Sequence, residues 1–372
     1  MKKLKILELT NYSSGICGVW QRVKQESVEL SKKGYDVKIF TSNATKGSKE
    51  IASSTDKLQD IEIIRFPFKK LGGESFMNWD FEKQALEFEP DIIIAHSYRH
   101  PHTLKALKIK EQLSKSNKKC KVFLVTHAPF IEGNITRNLS SKLFVTIYDK
   151  FIGPKSLIKF DKIITITKWE LPYLQRLGIK KQRIRYIPNG IPDEFFISKP
   201  QTGKGVLFLG RIAPIKDLET LIRAMKGLDF NLEIVGPTEE NYEIKLKKLI
   251  KQLKLFNINF YPPVYDLVEK IKKIDSCEIF VLPSKREAMP QSLIEVMARG
   301  KIVISSDNPG SKEIITNNKN GFLFKVGDSE ELTRLIAREI SNPKNKLIKQ
   351  NAIKTANKFK WSKLIQDLES IF

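Results

Sequence analysis

The chain has 372 residues, 41% of them hydrophobic and 29% charged. At about 150 residues per domain this length predicts two domains, and the composition excludes a disordered or low-complexity chain. The 65 Lys and Arg residues outnumber the 42 Asp and Glu residues, which gives a net charge of +23. This excess predicts an anionic partner, for which nucleic acid, an anionic membrane face and a phosphorylated substrate are the candidates.

The N-terminal segment begins like a signal peptide. Lys5 and Glu8 interrupt its apolar residues, however, and the alternation predicts a first strand instead. No apolar run approaches the ~18 residues that a membrane span needs. Three scattered cysteines, Cys17, Cys120 and Cys277, are typical of free thiols in a reducing compartment. We therefore expect a cytoplasmic protein.

Short β-rich runs alternate with longer amphipathic stretches along the chain. In the first half we predict strands over Lys5–Thr10, Asp36–Ser42, Ile61–Phe66, Asp91–His96, Lys121–His127 and Lys162–Thr167. In the second half we predict strands over Val206–Leu209, Asn231–Val235, Ile258–Tyr261, Ile279–Pro283, Ile302–Ser305 and Phe322–Val326. Several of these runs are continuously apolar, which is typical of parallel strands that helices cover on both faces.

Helices are predicted between the strands, over Val19–Lys33, Leu218–Met225 and Pro290–Arg299. Gly34 and Gly300 are suited to end the first and the third of these helices. The β-α alternation predicts two doubly wound α/β domains in tandem, divided at the turn-rich segment Pro188–Pro192. A final helix, Trp361–Phe372, carries an apolar face that needs a groove to bury it.

Two loops that follow predicted strands are candidates for binding phosphate. Asn11–Gly18 contains glycines that let a ligand approach the backbone, and it leads into a helix N-terminus, which attracts anions. A purely structural turn is the alternative. Gly210–Lys216 leaves the carboxyl edge of the second sheet, where ligands bind in open α/β sheets. There, the forked guanidinium of Arg211 and the compact ammonium of Lys216 are suited to bind a diphosphate. The alternative is that both side chains are solvated cations without a ligand.

The segment Pro283–Glu295 is the most informative. A buried strand ends at its start, and a helix begins near Pro290, with Glu287 in the loop and Glu295 on the second helical turn. The helix N-terminus favours an anion, and the two carboxylates suit hydroxyl groups. The alternative is a capping glutamate and a surface glutamate.

Histidines are the next candidates. His127 ends a predicted strand and so faces the edge of the sheet where ligands bind, with a structural role as the alternative. His96, His100 and His102 form an H-x3-H-x-H cluster, but Pro101 prevents them from sharing a helix face, which disfavours a metal site. No Asp-x-Asp pair stands out as a site for a nucleotide-bound divalent ion.

Two lysine-rich stretches, Asn241–Lys254 and Lys105–Lys121, are predicted to be solvated outer faces of helices. Anionic lipid headgroups are the alternative partner for these lysines. Aromatic residues are not interleaved with them, which disfavours a nucleic-acid stacking surface.

Taken together, the motifs resemble glycosyltransferase family 4, the large retaining, nucleotide-sugar-dependent family with the GT-B fold. The segment from Glu287 to Glu295, in the setting PSKREAMPQSLIEVMARGK, resembles the family signature. Further matches, in the same order along nearly the whole chain, are Gly18–Arg22, Lys33–Val37, Ile187–Ile191, Gly210–Arg211 with Lys216, Asn308–Ile315 and Gly321–Phe322. The chain departs from the family pattern at Cys17, Asp217, Arg299 and Ile302, none of which removes a charged functional group.

The resemblance implies an α/β protein of the GT-B class, with two tandem Rossmann-like doubly wound parallel-sheet domains facing a central cleft. Residues 1–188 would form the acceptor-binding domain, with the C-terminal helix, residues 357–372, packing back onto it. Residues 189–356 would form the nucleotide-sugar-binding domain.

The resemblance also implies roles for single residues. Glu295 would hold the ribose diol, Glu287 would bind sugar hydroxyls, and His127 would face the sugar. The expected catalytic residues are His127, Arg211, Lys216 and Glu287, of which the two cations would neutralise the diphosphate. The expected donor-binding residues are Gly18, Asn189, Gly210, Arg211, Lys216, Gly236, Val264, Glu287, Met289, Pro290, Gln291, Ser292, Leu293 and Glu295. No metal ligand is expected.

The implied activity is the retaining transfer of a hexose from a UDP- or GDP-linked donor to a hydroxyl of a glycan, a lipid-linked acceptor or a small hydrophilic acceptor. The positive charge favours an acceptor at the cytoplasmic membrane face, with the protein peripheral to it. No cofactor and no essential divalent metal are expected, and the two glutamates would not form the acid and nucleophile pair of a hydrolase.

Three alternatives stay open. The GT-B fold also serves sugar phosphorylases and disaccharide synthases. A non-enzymatic polyanion- or nucleic-acid-binding protein would explain the charge, although no specific nucleic acid is expected. A catalytically inactive partner subunit is disfavoured because the charged residues of the motifs are all present.

Overall fold

The computed structural model describes residues 3–15, 17–70, 73, 76–130, 139–198, 201–340, 342 and 345–372. The chain divides into two compact units: unit 1 comprises Met1–Gly190 and Trp361–Phe372, and unit 2 comprises Ile191–Lys360. The chain therefore leaves unit 1, builds all of unit 2, and then returns to unit 1. The sequence placed these boundaries a few residues earlier, at 188/189 and 356/357. The first two residues of the signal-like segment, and Ile16 of the first candidate loop, lie outside the described residues.

Unit 1 is built around a large, mostly parallel sheet. Its strands are β1 Lys5–Thr10, β2 Asp36–Ser42, β3 Thr55–Leu58, β4 Ile61–Phe66, β7 Ile92–His96, β8 Lys121–Val125, β9 Lys162–Thr165 and β10 Ile184–Tyr186, numbered in chain order with a separate antiparallel pair, β5 Phe68–Lys70 and β6 Met77–Trp79. Within the described residues the sheet order is β10-β9-β8-β7-β1-β2-β4-β3. In this sheet the edge pair β3 and β4 is antiparallel, and the other described pairs are parallel. Every residue of β7 is buried, as expected for a parallel strand that is covered on both faces.

The helices of unit 1 alternate with these strands. They are α1 Gly18–Lys32, α2 Glu82–Phe88, α3 Pro101–Lys115, α4 Leu139–Ile147, α5 Gly153–Leu157, α6 Leu171–Arg176 and, after the return of the chain, α14 Trp361–Glu369. A π-helical turn, Tyr148–Ile152, joins α4 to α5. None of the helices in the described part of the chain is both long enough and apolar enough to cross a membrane.

The apolar face of α14 packs into unit 1. Trp361 is buried, and its indole N–H donates to Oε1 of Gln25 on α1 at 2.7 Å. Gly190 lies directly against the indole, because a Cβ at that position would come within 2.7 Å of the ring. Arg22 of α1 stacks over the same ring, 5.4 Å from its centre. The groove that the sequence required for this helix is therefore made by α1 and the end of the segment that leaves unit 1.

Unit 2 is a smaller, wholly parallel sheet. Its strands are β11 Val206–Leu209, β12 Leu232–Val235, β13 Ile258–Tyr261, β14 Ile279–Leu282, β15 Ile302–Ser306 and β16 Phe322–Phe324, in the order β13-β12-β11-β14-β15-β16. Its helices are α7 Leu218–Ala224, α8 Glu240–Gln252, α9 Leu267–Asp275, α10 Gln291–Ala298, α11 Pro309–Ile314, α12 Ser329–Glu339 and α13 Lys346–Ala356. The strand order reverses between β11 and β14, and in open α/β sheets ligands bind outside the carboxyl ends of strands at such a point.

Most predicted strands lie where the sequence indicated, and the first three are confirmed to the residue. The strand predicted over Lys121–His127 is shorter, because His127 adopts φ +58° and turns the chain out of the sheet after Val125. The helix predicted from Pro290 begins at Gln291, since Pro290 has an extended ψ of 102°. Four short strands, β3, β5, β6 and β10, were not predicted.

Candidate functional site

In unit 2, a predicted cation and a predicted carboxylate are in contact. Lys216 ends a short 3-10 turn after β11, and Glu287 lies in the loop between β14 and α10. Nζ of Lys216 lies 2.5 Å from Oε1 of Glu287, and the hydroxyl of Ser284 donates to the same oxygen at 2.6 Å. The amide of Lys285 donates to the carbonyl of Ile215 at 3.0 Å, which ties the two loops together. The switch point of this sheet therefore carries a preformed ion pair.

The loop that carries Glu287 is supported by the end of β15 and the start of α11. The carbonyl of Ser284 accepts hydrogen bonds from the side-chain amide of Asn308, at 3.1 Å, and from the hydroxyl of Ser306. A Cβ on Gly310 would lie 2.6 Å from the carbonyl oxygen of Glu287, so only glycine permits this close approach. The loop is thus rigidly supported, as a binding residue requires.

Asp217 follows Lys216 and adopts a left-handed conformation, with φ +49°. Glycine takes such a positive φ without steric cost, whereas other residues need support from their surroundings. Asp217 is stabilised in this conformation by a 2.8 Å hydrogen bond from the hydroxyl of Thr220. The departure at Asp217 therefore leaves the path of the loop intact.

Glu295 lies on α10 and is 6% exposed. Its carboxylate contacts Lys270 of α9, with Nζ 2.6 Å from Oε1 and 2.5 Å from Oε2. Sequence reasoning missed Lys270, which is one of several lysines on an amphipathic helix and had no distinguishing signal. Both glutamates of the signature are therefore paired with a lysine in this structure.

The start of α10 was predicted to present backbone amides, from Met289 to Leu293. No side chain caps this helix at its N-cap residue, Pro290. Met289 and Leu293 are buried, whereas Gln291 and Ser292 are partly exposed. The amide of Leu293 donates to the carbonyl of Pro290 at 3.2 Å and so is engaged within its own turn.

The remaining donor-binding candidates of unit 2 lie at the ends of neighbouring strands. Gly236, after β12, has φ +152°, and a Cβ there would lie 1.9 Å from the carbonyl oxygen of Gly210, after β11. Arg211 is half-exposed and lies 3.5 Å from the carboxylate of Glu239. Val264 is partly exposed in the loop after β13. These residues line the same edge of the sheet as the Lys216–Glu287 pair.

In unit 1, Arg22 of α1 holds the segment from Ile187 to Asn189. Its Nη1 donates to the carbonyls of Ile187, at 2.9 Å, and Pro188, at 3.1 Å, and lies 3.3 Å from Oδ1 of Asn189. Asn189, predicted to bind the donor, is therefore held against α1 by a buried arginine. Gly18 begins α1, and a Cβ there would meet no described atom within 4 Å.

Glycine in the first candidate loop is required at Gly15 rather than at Cys17. Gly15 has φ +79°, and a Cβ would lie 2.2 Å from the carbonyl oxygen of Lys46. Cys17 has an extended backbone, with φ −135°, which any residue adopts. Cys17 therefore fits the conformation of the loop, although it stands where the chain departs from the family pattern.

Arg299, another departure from the family pattern, is structural. It is fully buried, pairs with Asp275 at 2.7 Å, and donates to the carbonyls of Phe195 and Ser198. A buried charge is tolerated because each of these groups satisfies part of its guanidinium.

His127 occupies a strained position after β8. Both His127 and Ala128 have positive φ, +58° and +55°. The carboxylate of Glu170 accepts hydrogen bonds from the hydroxyl of Thr126 and from the amide of Ala128, at 3.0 Å, and so holds the residues on either side of His127. Strain of this kind is characteristic of functional positions.

The ring of His127 contacts a second histidine. Its Nε2 lies 2.9 Å from Nδ1 of His96, whose Nε2 lies 2.8 Å from Oε2 of Glu8. Burial lowers the pKa of both histidines well below the usual value, and the neighbouring Arg22 lowers both further. Burial and nearby Glu26 raise the pKa of Glu8 well above its usual value.

The H-x3-H-x-H cluster does not converge on one point. His102 is buried, and its Nε2 donates to the carbonyl of His96 at 2.7 Å. His100 has its Nδ1 2.7 Å from the amide nitrogen of Asn11. Ligand-type atoms of Glu8, Glu26 and His96 do lie within 4.8 Å of one another. Nη2 of Arg22 lies 2.8 Å from Oε2 of Glu26, and His96 is hydrogen-bonded to Glu8, so a buried arginine already supplies positive charge to this cluster.

Two family models match the chain in succession. The model described as Glycosyltransferase Family 4 matches residues 16–195, and the model described as Glycosyl transferases group 1 matches residues 191–358. The chain belongs to glycosyltransferase family 4. The resemblance predicted from the motifs is therefore confirmed, and the protein is a glycosyltransferase of group 1.

Relatives of this glycosyltransferase are distant in sequence. An uncharacterized glycosyltransferase of Methanocaldococcus jannaschii is 25% identical over 326 residues, which cover 85% of this chain and 86% of the relative. An N,N'-diacetylbacillosaminyl-diphospho-undecaprenol alpha-1,3-N-acetylgalactosaminyltransferase of Campylobacter jejuni is 34% identical over 127 residues, 34% of this chain and 32% of the relative.

Solved structures share the fold of this glycosyltransferase. Sucrose-phosphate synthase from Thermosynechococcus elongatus matches with a TM-score of 0.77 and 17% identity, over 99% of this chain and 98% of that one. An Anabaena protein solved in complex with UDP and glucose matches with a TM-score of 0.73 and 17% identity, over 99% of this chain and 98% of that one. The predicted GT-B fold class, with its two Rossmann-like sheets, is confirmed.

Proposed function

We propose that this glycosyltransferase is a retaining hexosyltransferase that moves a sugar from a UDP- or GDP-linked donor to a hydroxyl of a glycan or lipid-linked acceptor at the cytoplasmic membrane face. The observation that carries this proposal is the Lys216–Glu287 ion pair at the switch point of unit 2. A diphosphate sugar offers an anion for the lysine and hydroxyl groups for the carboxylate. One substrate therefore suits both partners of the pair.

The cations act on the leaving group. As the bond from the anomeric carbon to the phosphate oxygen breaks, negative charge builds on the diphosphate. Lys216 is already fixed by its contact with Glu287, so it stabilises this charge without having to be ordered during the reaction. Arg211 adds a second cation, because its 3.5 Å contact with Glu239 is a half-exposed pair that a diphosphate can replace.

The nucleoside is proposed to bind at Glu295. Its carboxylate suits the two hydroxyls of a ribose, and Lys270 orients it from the neighbouring helix. Gly236 lies so close to the carbonyl of Gly210 that no side chain fits there, and the ends of β12 and β11 are therefore packed tightly beside the proposed nucleoside site. The Anabaena structure with UDP and glucose supports a uridine nucleotide.

Retention follows from a front-face attack in this proposal. The acceptor oxygen bonds to the anomeric carbon on the face that the diphosphate leaves, and the departing phosphate oxygen takes the acceptor proton. No enzymic base is then required, and neither glutamate needs to act as a nucleophile. The contact of Glu287 with Lys216 agrees with this, since a paired carboxylate is a weaker nucleophile than a free one.

A groove on unit 1 supports a lipid-linked acceptor. The groove has a volume of about 800 Å³ and an apolar wall from Leu104 and Leu107 of α3 and from Phe151 and Ile152 of the π-helical turn. The lysines that line it are Lys108, Lys110, Lys115, Lys155 and Lys159. An apolar wall with a cationic rim suits an isoprenoid chain that carries phosphate, or the anionic headgroups around it. The undecaprenol diphosphate in the name of the Campylobacter relative supports the same class of acceptor.

The donor is tested by a thermal-shift panel of nucleotide sugars and free nucleotides, run with and without EDTA. A ligand at 100 times its Kd should stabilise the protein by roughly 2.7 kcal/mol. We expect one nucleotide sugar to raise Tm in wild type regardless of EDTA, and Glu295→Ala to weaken that shift. Lys247→Ala, which removes an exposed lysine of the same unit, is the matched control. If the wild-type protein is folded and no nucleotide or nucleotide sugar raises its Tm, the proposed donor class is rejected.

The acceptor surface is tested by sedimentation with anionic liposomes at low salt. We expect Phe151→Glu to reduce binding, because it places a negative charge in the lysine-rimmed groove. Phe256→Glu is the matched control, since Phe256 is 93% exposed on unit 2. If wild type does not bind the liposomes, or if both variants bind equally, the membrane part of the proposal is wrong.

A further inference from the structure

A chain of hydrogen bonds leads from the interior of unit 1 to His127. Glu8 and His96 are both fully buried, at 0% exposure, whereas His127 is partly exposed. The chain runs from Glu8 Oε2 to His96 Nε2 at 2.8 Å, and from His96 Nδ1 to His127 Nε2 at 2.9 Å. Nδ1 of His127 takes no part in it. The family resemblance places His127 at the sugar but gives no role to Glu8 or His96, so these two buried residues need an explanation of their own.

Each of the two hydrogen bonds holds one proton, so two arrangements satisfy both while each imidazole stays neutral, as the lowered pKa of both histidines requires. If Glu8 is ionised, His96 and His127 each donate from Nε2, and Nδ1 of His127 is left as an acceptor. If Glu8 is protonated, it donates to His96, His96 donates from Nδ1, and Nδ1 of His127 carries a proton. The second arrangement is the first plus one proton, and neither contains a charged imidazole.

The buried charges beside the chain select the protonated arrangement. Arg22 and Glu26 are both buried, lie 2.8 Å apart and together carry no net charge. An ionised Glu8 would add a buried negative charge without a partner of its own, which is costly. This agrees with the raised pKa of Glu8 and with the lowered pKa of both histidines.

The other histidines of unit 1 reinforce this choice. His102, on α3, is adjacent to His96 and further lowers its pKa, and His100 does the same for His127. The pKa of His102 itself is lowered to about 3 and that of His100 to about 4, chiefly by burial. A proton taken up by the chain therefore belongs on Glu8 rather than on a ring.

We propose that Glu8 and His96 are positioning residues that hold His127 in the tautomer protonated at Nδ1, so that His127 meets a ligand oxygen as a hydrogen-bond donor. The identity of that oxygen, on the sugar or the diphosphate, rests on the proposed function, whereas the tautomer is a property of the unliganded protein. Glu170 fixes the backbone conformation around His127, whereas Glu8 determines which ring nitrogen of His127 carries the proton. These two roles can therefore be separated experimentally.

The tautomer is measured by two-bond ¹H–¹⁵N correlation spectra of the full chain with ¹⁵N-labelled histidine, assigned with His127→Gln. At pH 7 we expect wild-type His127 to be protonated on Nδ1 only. Glu8→Gln should keep this tautomer, because its amide donates to His96 as the protonated acid does. Glu8→Ala should lose it and give a mixture, and Glu170→Gln, the matched control, should retain it.

Kinetics supply a readout that a purely structural role would not change. In wild type we expect kcat/KM to fall as the pH rises and Glu8 loses its proton, because His127 then becomes an acceptor. Glu8→Gln should lack this alkaline fall, and Glu8→Ala should lower kcat/KM about tenfold at pH 7, the worth of one hydrogen bond.

Wild-type His127 protonated on Nε2 at pH 7, or a Glu8→Ala spectrum identical to wild type, would overturn the proposal. If Glu8→Ala does not fold, the wild-type and Glu8→Gln spectra decide the question by themselves. These spectra need no donor. If no nucleotide sugar raises Tm but His127 shows the expected tautomer, the proposed function is rejected and the inference about Glu8 and His96 is not affected.

Discussion

Replacing Lys216 with methionine separates its role in the fold from its role in the reaction. Its ammonium lies 2.5 Å from the carboxylate of Glu287, and the two side chains are 19% and 12% exposed. At an effective dielectric constant of about 20, two such charges attract by roughly 7 kcal/mol before desolvation, which cancels most of that gain. Removing one partner leaves a largely buried carboxylate without its cation. We expect Lys216→Met to lower the free energy of unfolding of unit 2 by about 1–3 kcal/mol.

Adding Glu287→Gln to this variant distinguishes the two roles. The double variant has no unpaired buried charge, so urea titrations should show most of the lost stability restored. Its kcat should stay about 10² to 10³ times below that of wild type, because the cation that stabilises the leaving diphosphate is still missing. The assay is release of nucleotide diphosphate from the donor that the thermal-shift panel identifies. If the double variant regains activity together with stability, Lys216 is only the partner of Glu287, and the proposed role on the leaving group is wrong.

Three further outcomes are expected. Gly236→Ala should lower the stability of unit 2 by more than about 2 kcal/mol in urea titrations, because its Cβ would lie 1.9 Å from the carbonyl oxygen of Gly210. Gly227→Ala, at φ +81° with no described atom in the way, should cost only about 1 kcal/mol, and equal losses would contradict this reasoning. Trp361→Ala should cost about 3–5 kcal/mol in unit 1, and a loss below 1 kcal/mol would show that α14 contributes little. The pKa of His102 in the folded protein is about 3, so the unfolded chain takes up a proton at this residue as the pH falls below 6.5, and stability is lost. The stability advantage of wild type over His102→Gln should therefore increase by up to about 1.4 kcal/mol per pH unit as the pH rises from 4 to 6.5. A stability difference that does not change with pH would refute the lowered pKa of His102.

The sequence predicted the architecture well because the central strands are continuous apolar runs between turn residues. Val206–Leu209 is predicted to the residue, since burial on both faces leaves no polar position inside it. Lys5–Thr10 is also predicted to the residue, from the apolar residues on either side of Glu8. Glu8 is the exception: it looked like an interruption of the first strand, yet it is fully buried. The edge strand Thr55–Leu58 escaped prediction because it is largely exposed and has no apolar alternation.

The candidate site was predicted as a set of loops but not as a set of contacts. Lys216 and Glu287 follow different strands, and only the strand order brings those loops together. Lys270 was missed because nothing in its local sequence separates it from the lysines that follow it. The link from Glu8 to His127 joins the middle of β1, the end of β7 and the turn after β8, which lie far apart in the chain, and no periodicity or motif encodes such a link.

The return of the chain to unit 1 has a consequence for how the protein is made. Helix α14, which fills the groove beside Arg22 and Gly190, is synthesised only after the whole of Ile191–Lys360. On the ribosome, unit 2 has all of its strands and helices while unit 1 still exposes the apolar surface that Trp361 will cover. The first unit to be translated is thus the last to be completed. A nascent chain stalled within unit 2 therefore carries an uncovered hydrophobic groove, which is the kind of surface that chaperones bind.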